Sequence, residues 1–600
     1  MTAFYRAEPA EVDNAIGAPA HEIYVLPSSV AQQRFWLLDQ LEPGNTSLNM
    51  PLALRLSGEL DVTSLELSIN EIIARHEMLR TTFAVEDQTV VQVITPELTT
   101  RLQVVAVTGP GQKEREDRAR QLMLDEAHLT FDLVRGPLFR AKLLMLATTD
   151  HILLLTMHHI ICDGWSNGVL VREIGEIYDA FSKGLPSPLP ELPIQYGDFA
   201  LWQRDWLDSE GFQEQLDYWQ GQLGGELPTL NMPTDFPRNR NRTSDGAMES
   251  LLLSNPLTRA LRVLAQREDV TLFMIFLAAF KVLLHRYTGE EQILVGSPTA
   301  NRIQSESEGL IGAFANTLML KTRLSGDPLF SELLQRIKEV ALGAFSNQTL
   351  PFEKLAEVVR PSQARAGSQL FQVLFIFQTA FMKPVKLDGL SITPMRSVSP
   401  GSIFELSLGV VERAEGTRLQ MEYNTKLFEA ETIKLMLGHL QSVLQTIATD
   451  ARQRISEIPL LTAAERQVLL VDRNQTFEVH YPRKTVGERF DELANLAPER
   501  IAVLSAGRGG PNISYGELKR KSDEIADRLK GLTLIKGAKV GVHSESFSEF
   551  AADLLGVLKA GFVAVPLNAS MRGAELCDAV LADCPVAQAF LIFCRPLLEA

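Results

Sequence analysis

Hydrophobic and polar positions follow two periods along most of the chain, and this predicts a mixed α/β fold. Apolar residues recur at helical spacing in stretches such as Ala31–Leu41 and Leu65–Arg75. They form short continuous or alternating runs in others, such as Leu52–Leu56 and Ile152–Met157. Interleaved helices and strands of this kind are typical of layered α/β domains. Residues 1–22 carry no periodic apolar face, so we expect a poorly ordered leader there.

Links rich in proline and polar residues divide this pattern into blocks. The link from Leu185 to Pro193 separates a first predicted lobe, residues 23–190, from a second, residues 191–455. A polar linker over residues 456–484 precedes a third α/β segment, residues 485–600. That segment is short for an α/β unit of ordinary size, so we predict a partial domain.

Charge and composition exclude several classes of protein. Lys and Arg number 58 and Asp and Glu 74, for a formal net charge of -16, and the averaged field of such a chain repels nucleic acid. The 4 cysteines are too few for a disulfide framework. No apolar run reaches the length of a bilayer-spanning helix. We therefore expect a cytoplasmic protein that neither binds nucleic acid nor spans a membrane.

The residues that could take part in catalysis cluster on one predicted strand-to-helix turn. The apolar run Ile152–Met157 ends at His158 and His159, and Ile160–Gly164 leads into an amphipathic helix with Ser166 available as its N-cap. Consecutive strand residues point to opposite faces, so only one of the two histidines can face a given cavity. The alternation of side chains along the strand does not say which of the two histidines faces the cavity.

This turn has the components of proton-transfer chemistry. A neutral imidazole has the intrinsic pKa to accept a proton near neutral pH, and Gly164 allows a backbone N–H to approach a reacting oxygen. A zinc site is one alternative, because His159 and Asp163 are spaced as on a helical face. The apolar strand before them and Gly164 after them argue against a helix there, and no third ligand is near in sequence. We predict no metal.

A remoter alternative is a glycerolipid acyltransferase. His158 and Asp163 have the spacing of the HxxxxD pattern of those enzymes, and residues 415–418 spell EGTR. The spacing is short and common, the EGTR segment lies far downstream in a predicted strand, and the chain lacks membrane-associating segments.

The segment MHHIICDGWS, Met157–Ser166, resembles the HHxxxDG core of nonribosomal peptide synthetase condensation domains. Five further blocks are similar to other motifs of that family and follow in the same order: SVAQQRFWLL at 29–38, RHEMLRTTF at 75–83, YGDFALW at 196–202, IGAFANTL at 311–318 and NQTLPFE at 347–353. An ordered series is far more specific than any single motif. NQTLPFE departs from the family pattern at Asn347 and Thr349, and SQARAGSQLFQ after it matches the last motif only loosely.

The resemblance, over residues 22–455, implies two chloramphenicol-acetyltransferase-like lobes in a V with a tunnel between them. It implies donor and acceptor peptidyl carrier proteins as partners, together with other synthetase modules. Each carrier would bring its substrate on a 4′-phosphopantetheine arm, and the acceptor amine would attack the donor thioester to form an amide. The opening motif looks like the subgroup that joins two L-configured residues, and a starter domain that takes a fatty acyl group is the other possibility.

The resemblance also implies roles for the residues of the turn. It places His159 in the tunnel, as the base that accepts the proton of the amine or as the group that holds the amine in line. His158 is then scaffold, and the backbone N–H near Gly164 favours the tetrahedral oxyanion.

Three residues outside the turn are expected to support it. Asp163 is expected to pair with an arginine, and Arg302 is the first candidate and Arg75 the second. Asn316 either hydrogen-bonds across the cleft or serves a local turn.

The last part of the chain is similar to the N-terminal part of an adenylation domain. Ile513–Leu529 and Leu558–Leu567 match its two opening motifs, and the phosphate loop expected downstream is missing. We therefore expect neither ATP use nor amino-acid activation. A non-catalytic remnant of a split or degraded synthetase, which keeps only carrier-docking surfaces, is the main alternative to an active condensation enzyme.

Overall fold

The structure is a computed structural model, which describes residues 23–238, 245–359, 370–378, 384–395, 401–413, 416–474, 484–504, 512–544, 546–568, 570 and 591–593. The predicted leader, residues 1–22, lies outside this described part. The chain divides into two compact units, Met1–Asp472 and Arg473–Ala600.

A six-stranded mixed sheet forms the centre of the first lobe. Its strands are β2 (Asn49–Gly58), β5 (Gln103–Ala106), β6 (Phe139–Ala147), β7 (Asp150–His158), β12 (Val385–Lys386) and β13 (Leu390–Pro394), in the spatial order β12-β13-β2-β7-β6-β5. β7 pairs antiparallel with β2 on one side and β6 on the other. This central position explains the continuous apolar run of β7, since a strand covered on both faces has no polar side.

Helices and a small second sheet complete the first lobe. They are α1 (Val30–Leu41), α2 (Val62–Arg75), α3 (Gln112–Ala127) and α4 (Gly164–Phe181), with a three-stranded sheet of β1 (Tyr24–Pro27), β3 (Thr81–Glu86) and β4 (Thr89–Ile94). α2 and α4 pack on the main sheet through apolar faces that include Ile69, Ile73, Ile174 and Ile177.

A second six-stranded sheet forms the centre of the second lobe. Its strands are β8 (Gly246–Leu252), β9 (Gln292–Thr299), β10 (Asn316–Arg323), β11 (Val373–Gln378), β14 (Leu406–Arg413) and β15 (Gly416–Asn424), in the order β10-β9-β11-β14-β15-β8. Its core contains the helix α8 (Leu272–Thr288), whose buried positions run without a break from Met274 to Leu284. The predicted α/β fold with two lobes is confirmed.

The helices that follow the first lobe in the chain are α5 (Tyr196–Trp206), α6 (Glu210–Leu223), α7 (Asn255–Arg267), α8 (Leu272–Thr288), α9 (Phe330–Ser346), α10 (Phe352–Val359), α11 (Ala430–Thr449) and α12 (Ala463–Gln467). Two parts of this half of the chain return to the first lobe. β13 pairs with β2, and Ile311 and Phe314 of the β9–β10 connection pack in the first core.

In the part of the chain that the structure describes, no single helix has the length and apolar composition to cross a membrane. Asn255–Arg267 and Leu272–Thr288 pass that test only as a pair, bent by 104°.

The second unit is a small α/β arrangement with its own core. Its elements are α13 (Val486–Leu496), β16 (Ile501–Val503), β17 (Ile513–Ser514), α14 (Tyr515–Lys530), β18 (Lys539–Val542), α15 (Phe547–Lys559), β19 (Val563–Pro566) and β20 (Leu591–Phe593). β18 lies between β19 and β20, parallel to both. The Lys559 ammonium contacts Asp491 and Asp523 at 2.5 and 2.7 Å, which joins α13, α14 and α15.

Candidate active site

The C-terminal end of β7 positions the two histidines. His158 is the last residue of the strand and lies opposite Asn49 of β2. The His159 N–H donates to the Leu48 carbonyl at 2.8 Å, so the backbone still follows the strand register at this residue. A turn over residues 159–161 then leads to α4, which begins at Gly164.

His158 faces the interior of the first lobe. The residue is 2% exposed, its Nδ1 accepts from the Ile160 N–H at 3.2 Å, and its ring meets the edge of Phe131. Burial lowers the pKa of His158 to about 3, and the neighbouring His159 adds to this effect. The neutral ring with Nδ1 as acceptor carries its proton on Nε2. His158 is therefore placed as a neutral packing residue.

His159 is the more exposed of the two histidines. Its ring stacks on Phe35 of α1, with 4.7 Å between ring centroids and 26° between planes. Burial lowers the pKa of His159; the Asp163 carboxylate opposes this shift and the Arg34 guanidinium adds to it. The imidazole is thus neutral at neutral pH, the state in which a ring nitrogen can accept a proton.

Asp163 begins α4. Its Oδ1 accepts from the Ser166 N–H at 2.8 Å and from the Ser166 hydroxyl at 2.7 Å, and the Asp163 N–H donates back to that hydroxyl oxygen at 3.3 Å. The expectation that Ser166 is the N-cap is wrong, because Asp163 takes that position and Ser166 closes a capping box three residues later.

Asp163 also joins the first lobe to the β9–β10 connection. Arg302 Nη2 donates to Asp163 Oδ1 at 3.2 Å and Oδ2 at 3.4 Å, and both side chains are at most 2% exposed. Asp163 Oδ2 accepts two further hydrogen bonds, from the N–H groups of Phe314 and Ala315, each at 3.2 Å. Arg302, the first candidate partner, therefore lies against Asp163.

Arg75, the second candidate, does not contact Asp163. Its Nε lies 3.3 Å from Glu173 Oε1, and His76 Nε2 lies 2.8 Å from the other oxygen of the same carboxylate. Glu173 is a buried residue of α4, so Arg75 and His76 tie the end of α2 to that helix. Arg75 is therefore not the partner of Asp163, because its guanidinium forms an ion pair with the buried carboxylate of Glu173.

Asn316 does not bridge the lobes either. Its side-chain amide donates to the carbonyls of Gln348 and Leu350 at 2.7 and 2.6 Å, and its Oδ1 accepts from the Phe352 N–H at 2.9 Å. All three partners lie in the segment that leads into α10. Asn316 thus secures that segment to the start of β10, which is local support and not a contact across the cleft.

Gly164 faces a strand end of the second lobe, with room for a methyl group between them. A Cβ built on this residue would have Gln378 Nε2, at 4.0 Å, as its nearest neighbour. Gln378 is the last residue of β11, so the N-terminal end of α4 and the end of a second-sheet strand face each other here.

A cavity of about 270 Å³ lies along α4 from Trp165 onward, and neither Gly164 nor the two histidines line it. Trp165, Gly168, Val169, Arg172 and Glu176 line one side of it at helical spacing, and Pro384 and Val385 line the other. Its wall is mostly apolar, with one basic and one acidic side chain farther along the helix.

Within the described residues, no group of three or more His, Cys, Asp or Glu side chains is arranged to hold a metal ion. Asp163, the second member of the zinc alternative, uses both oxygens for Arg302 and for the start of α4.

Phe35 and Glu173 are two site residues for which the sequence predicts no role. Phe35 lies in the block SVAQQRFWLL, where the apolar pattern favours simple packing. Glu173 lies on the apolar side of α4. An acidic residue on an apolar helix face is a sequence feature that indicates a buried ion pair.

Two α/β lobes with a histidine-bearing strand-to-helix turn define a protein of the chloramphenicol-acetyltransferase-like class. The family model "Condensation domain" matches residues 22–470, and the chain belongs to that family. The family model "AMP-binding enzyme" matches residues 490–592. The predicted order, a condensation domain followed by a partial adenylation region, is confirmed. The glycerolipid acyltransferase alternative loses its support, since the histidine of its spacing, His158, is 2% exposed. Glu415 of the EGTR segment lies outside the described residues.

Related proteins are large peptide synthetases. One of the linear gramicidin synthase proteins of Brevibacillus parabrevis is 42% identical over 545 residues, which are 90% of this chain and 11% of that protein. Malpinin synthetase of Mortierella alpina is 36% identical over 554 residues, which are 92% of this chain and 7% of that protein. The chain thus spans only a small part of the length of these relatives.

Solved structures give the same fold. The X-domain from teicoplanin biosynthesis is 27% identical, with a TM-score of 0.66 over 74% of this chain and 99% of that one. A four-domain nonribosomal peptide synthetase bound to AMP and glycine is 20% identical, with a TM-score of 0.78 over 97% of this chain and 44% of that one.

Proposed function

We propose that this chain joins a donor acyl or peptidyl thioester to the amine of an acceptor aminoacyl thioester. In this step the acceptor nitrogen forms a bond to the donor carbonyl carbon, and the carbon–sulfur bond of the donor breaks. The amine loses one proton and the leaving sulfur ends as a thiol, so atoms and charge balance. The product is an amide that remains attached to the acceptor.

The observation that carries the proposal is the state of His159. Burial lowers the pKa of its imidazole, the residue is more exposed than His158, and it lies on the turn that joins the end of β7 to Gly164 at the start of α4. We infer that the ring accepts the proton of the attacking amine, or holds that amine in line with the donor carbonyl. The backbone N–H at the start of α4 would stabilise the negative charge that develops on the carbonyl oxygen.

The remaining predicted site residues act by holding this geometry. Asp163 and Arg302 fix the start of α4 against the β9–β10 connection, and His158 fills the interior behind the turn. Two tethered reactants that meet in a fixed site need no bimolecular encounter, and orientation of this kind can supply several kcal/mol of the barrier.

Donor and acceptor carrier proteins, each with a 4′-phosphopantetheine arm, are the proposed partners. The arm is a chain of amides and methylenes, and the cavity along α4 offers it apolar walls with Arg172 and Glu176 farther along. The arm presents the thioester, and the residues of this chain bind it, orient it and keep water away. We place the reaction in the cytoplasm, in keeping with the small number of cysteines.

An assay with two loaded carriers tests the proposal. Purified protein receives a donor carrier and an acceptor carrier, and mass spectrometry counts the condensed product. We expect product from the wild-type chain and loss of product from His159→Ala, with an unchanged unfolding temperature because the turn is held by backbone and Asp163 contacts that the variant keeps. Product at wild-type level from His159→Ala would leave only positioning by the surrounding site as the source of catalysis.

A non-catalytic docking module is the second candidate. The X-domain from teicoplanin biosynthesis, a structural relative of this chain, was also solved in complex with a partner protein, OxyB. A chain of this kind would bind loaded carriers and give no product in the same assay across a panel of acyl and aminoacyl donors.

A further inference from the structure

The polar contacts that the His159 imidazole makes are weak. In many sites the ring nitrogen that does not react donates to a carbonyl or a carboxylate, which sets both the tautomer and the orientation. Contacts of the His159 ring with the backbone of His159 itself and of Cys162 raise its pKa, but the buried Nδ1 makes no hydrogen bond of good geometry among the described residues. A further contact is therefore needed to hold this ring.

The His159 ring packs against the face of Phe35. The centroids of the two rings are 4.7 Å apart and their planes are 26° from parallel, which is a stacked arrangement. A stacked aromatic ring restricts the tilt of the imidazole and covers one of its faces against water.

Phe35 is itself held tightly against the histidine turn. One turn earlier on α1, the fully buried Gln32 donates from Nε2 to the Ile160 carbonyl at 3.3 Å, so the helix is bonded directly to the loop after His159. Ser29 and Gln32 form a capping box at the start of α1. Val30 N–H donates to Gln203 Oε1 of α5 at 2.9 Å. This arrangement fixes the distance between α1 and the turn.

The charged and titratable groups around the ring come from three elements. Asp163, at the start of α4, favours the protonated ring, and Arg34 on α1 disfavours it. His158 on β7 is neutral, and burial raises the pKa of Cys162 in the turn so that this thiol is neutral too. The backbone of His159 and Cys162 also favours the protonated ring, but burial, the largest effect, outweighs these groups and lowers the pKa of His159.

We propose that Phe35 is a positioning residue for His159: the aromatic ring of Phe35 restricts the tilt of the imidazole and shields it from water. This inference rests on the proposed function, because orientation of His159 matters only where the ring handles the acceptor amine. Without the stack, the ring would tilt and become hydrated, and the protonated form would gain stability.

The test compares three variants in the condensation assay at a series of pH values. F35A removes the stack and the cover, F35L keeps an apolar cover without a flat ring, and L37A changes a residue on the same helix that is 48% exposed. Product formation under single-turnover conditions gives the rate. The ring titration of His159 is followed by NMR on protein labelled with 15N-histidine, with the signal assigned from the spectrum of H159A.

We expect F35A to lower the rate by about 10- to 100-fold, the size of a small misplacement of a reacting group. The acid limb of its pH–rate profile, where the rate falls as the imidazole is protonated, should shift to higher pH. It should approach the ordinary histidine pKa of about 6.5, because a hydrated ring is protonated more easily. The NMR titration should move in the same direction. F35L should keep the acid limb of the wild type with a smaller loss of rate, and L37A should match the wild type in every measurement.

Two outcomes would overturn the inference. One is an F35A protein with the rate and acid limb of the wild type. The other is a loss of rate in F35A and F35L alike with no change in the NMR titration of His159, which would mark Phe35 as a packing residue. The NMR titration does not depend on activity. If H159A were fully active, the proposed role of His159 would fail while the effect of Phe35 on the ring would still be measured.

Discussion

At the scale of single residues, the proposed catalytic role of the backbone N–H near Gly164 can be tested separately from the contribution of Gly164 to the stability of the fold. Gly164→Ala should leave the unfolding temperature unchanged or slightly raised, since the added Cβ has no atom nearer than 4.0 Å and alanine favours a helix by up to about 1 kcal/mol over glycine. The same methyl group narrows the approach to the N–H groups at the start of α4. We therefore expect a lower rate of condensation in a stably folded protein, measured by thermal unfolding beside the carrier assay.

Gly175→Ala on the same helix is the matched control. A Cβ at Gly175 would lie 2.8 Å from Val385 Cγ1, which is closer than packed atoms allow. This variant should lose stability, by about 1 to 3 kcal/mol for overpacking. A Gly164→Ala protein that is as destabilised as Gly175→Ala would show that Gly164 is needed for packing and not for access.

At the scale of elements, the start of α4 combines a helix cap with a buried ion pair, and two substitutions distinguish them. Asp163→Asn keeps an oxygen that can cap the helix and removes the charge, whereas Asp163→Ala removes both. Loss of one partner from a buried pair costs about 3 to 5 kcal/mol, and loss of the cap adds about 1 kcal/mol. We expect both variants to unfold at lower temperature than the wild type, with Asp163→Ala the less stable of the two.

A double-mutant cycle with Arg302→Met identifies the partner. If Arg302 is the group that Asp163 neutralises, the double variant Asp163→Asn, Arg302→Met should be more stable than the sum of the single losses predicts. The same cycle with Arg75→Met serves as the control. Arg75 contacts Glu173, so its effect should simply add to that of Asp163→Asn, and non-additivity there instead would contradict the assignment.

The elements themselves could be predicted from the sequence, whereas their long-range partners could not. The apolar run of β7 and the helical stripe of α4 are properties of neighbouring residues, so a local pattern suffices to find them. The pairing of β13 with β2 joins residues that are far apart in the chain, and so does the ion pair of Arg302 with Asp163, which only the resemblance to a known family suggested. Local periodicity carries no information about such contacts. The N-cap was misplaced for a related reason, since Asp163 and Ser166 both have capping chemistry and only the backbone geometry decides between them.

At the scale of the whole molecule, the connection between the two units begins with a helix that is fastened to the first unit. α12 lies just before the unit boundary, and Glu465 holds it in two ways. Its carboxylate accepts from the N–H and the hydroxyl of Thr462 at 2.8 and 2.7 Å, and Oε1 lies 2.9 Å from His439 Nε2 on α11. His439 Nδ1 in turn lies 2.6 Å from the Tyr287 hydroxyl of α8. One carboxylate thus caps α12 and links it to two helices of the second lobe.

This arrangement predicts that Glu465→Ala loosens the connection without unfolding the lobe behind it. α12 has five residues and none of them is buried, and helices this short are not stable without outside contacts. Hydrogen exchange of the backbone amides in residues 462–472 should therefore accelerate in the variant, while exchange in α8 and α11 stays at the wild-type rate. Lowering the pH should likewise accelerate the hydrogen exchange of these amides in the wild type. Burial alone would raise the pKa of Glu465, but its bonds to Thr462 and His439 lower it overall, so the carboxylate stabilises α12 at neutral pH and stops doing so as the pH falls through that lowered pKa. Equal exchange in the variant and the wild type would mean that the apolar contacts of residues 458–461 hold α12 by themselves.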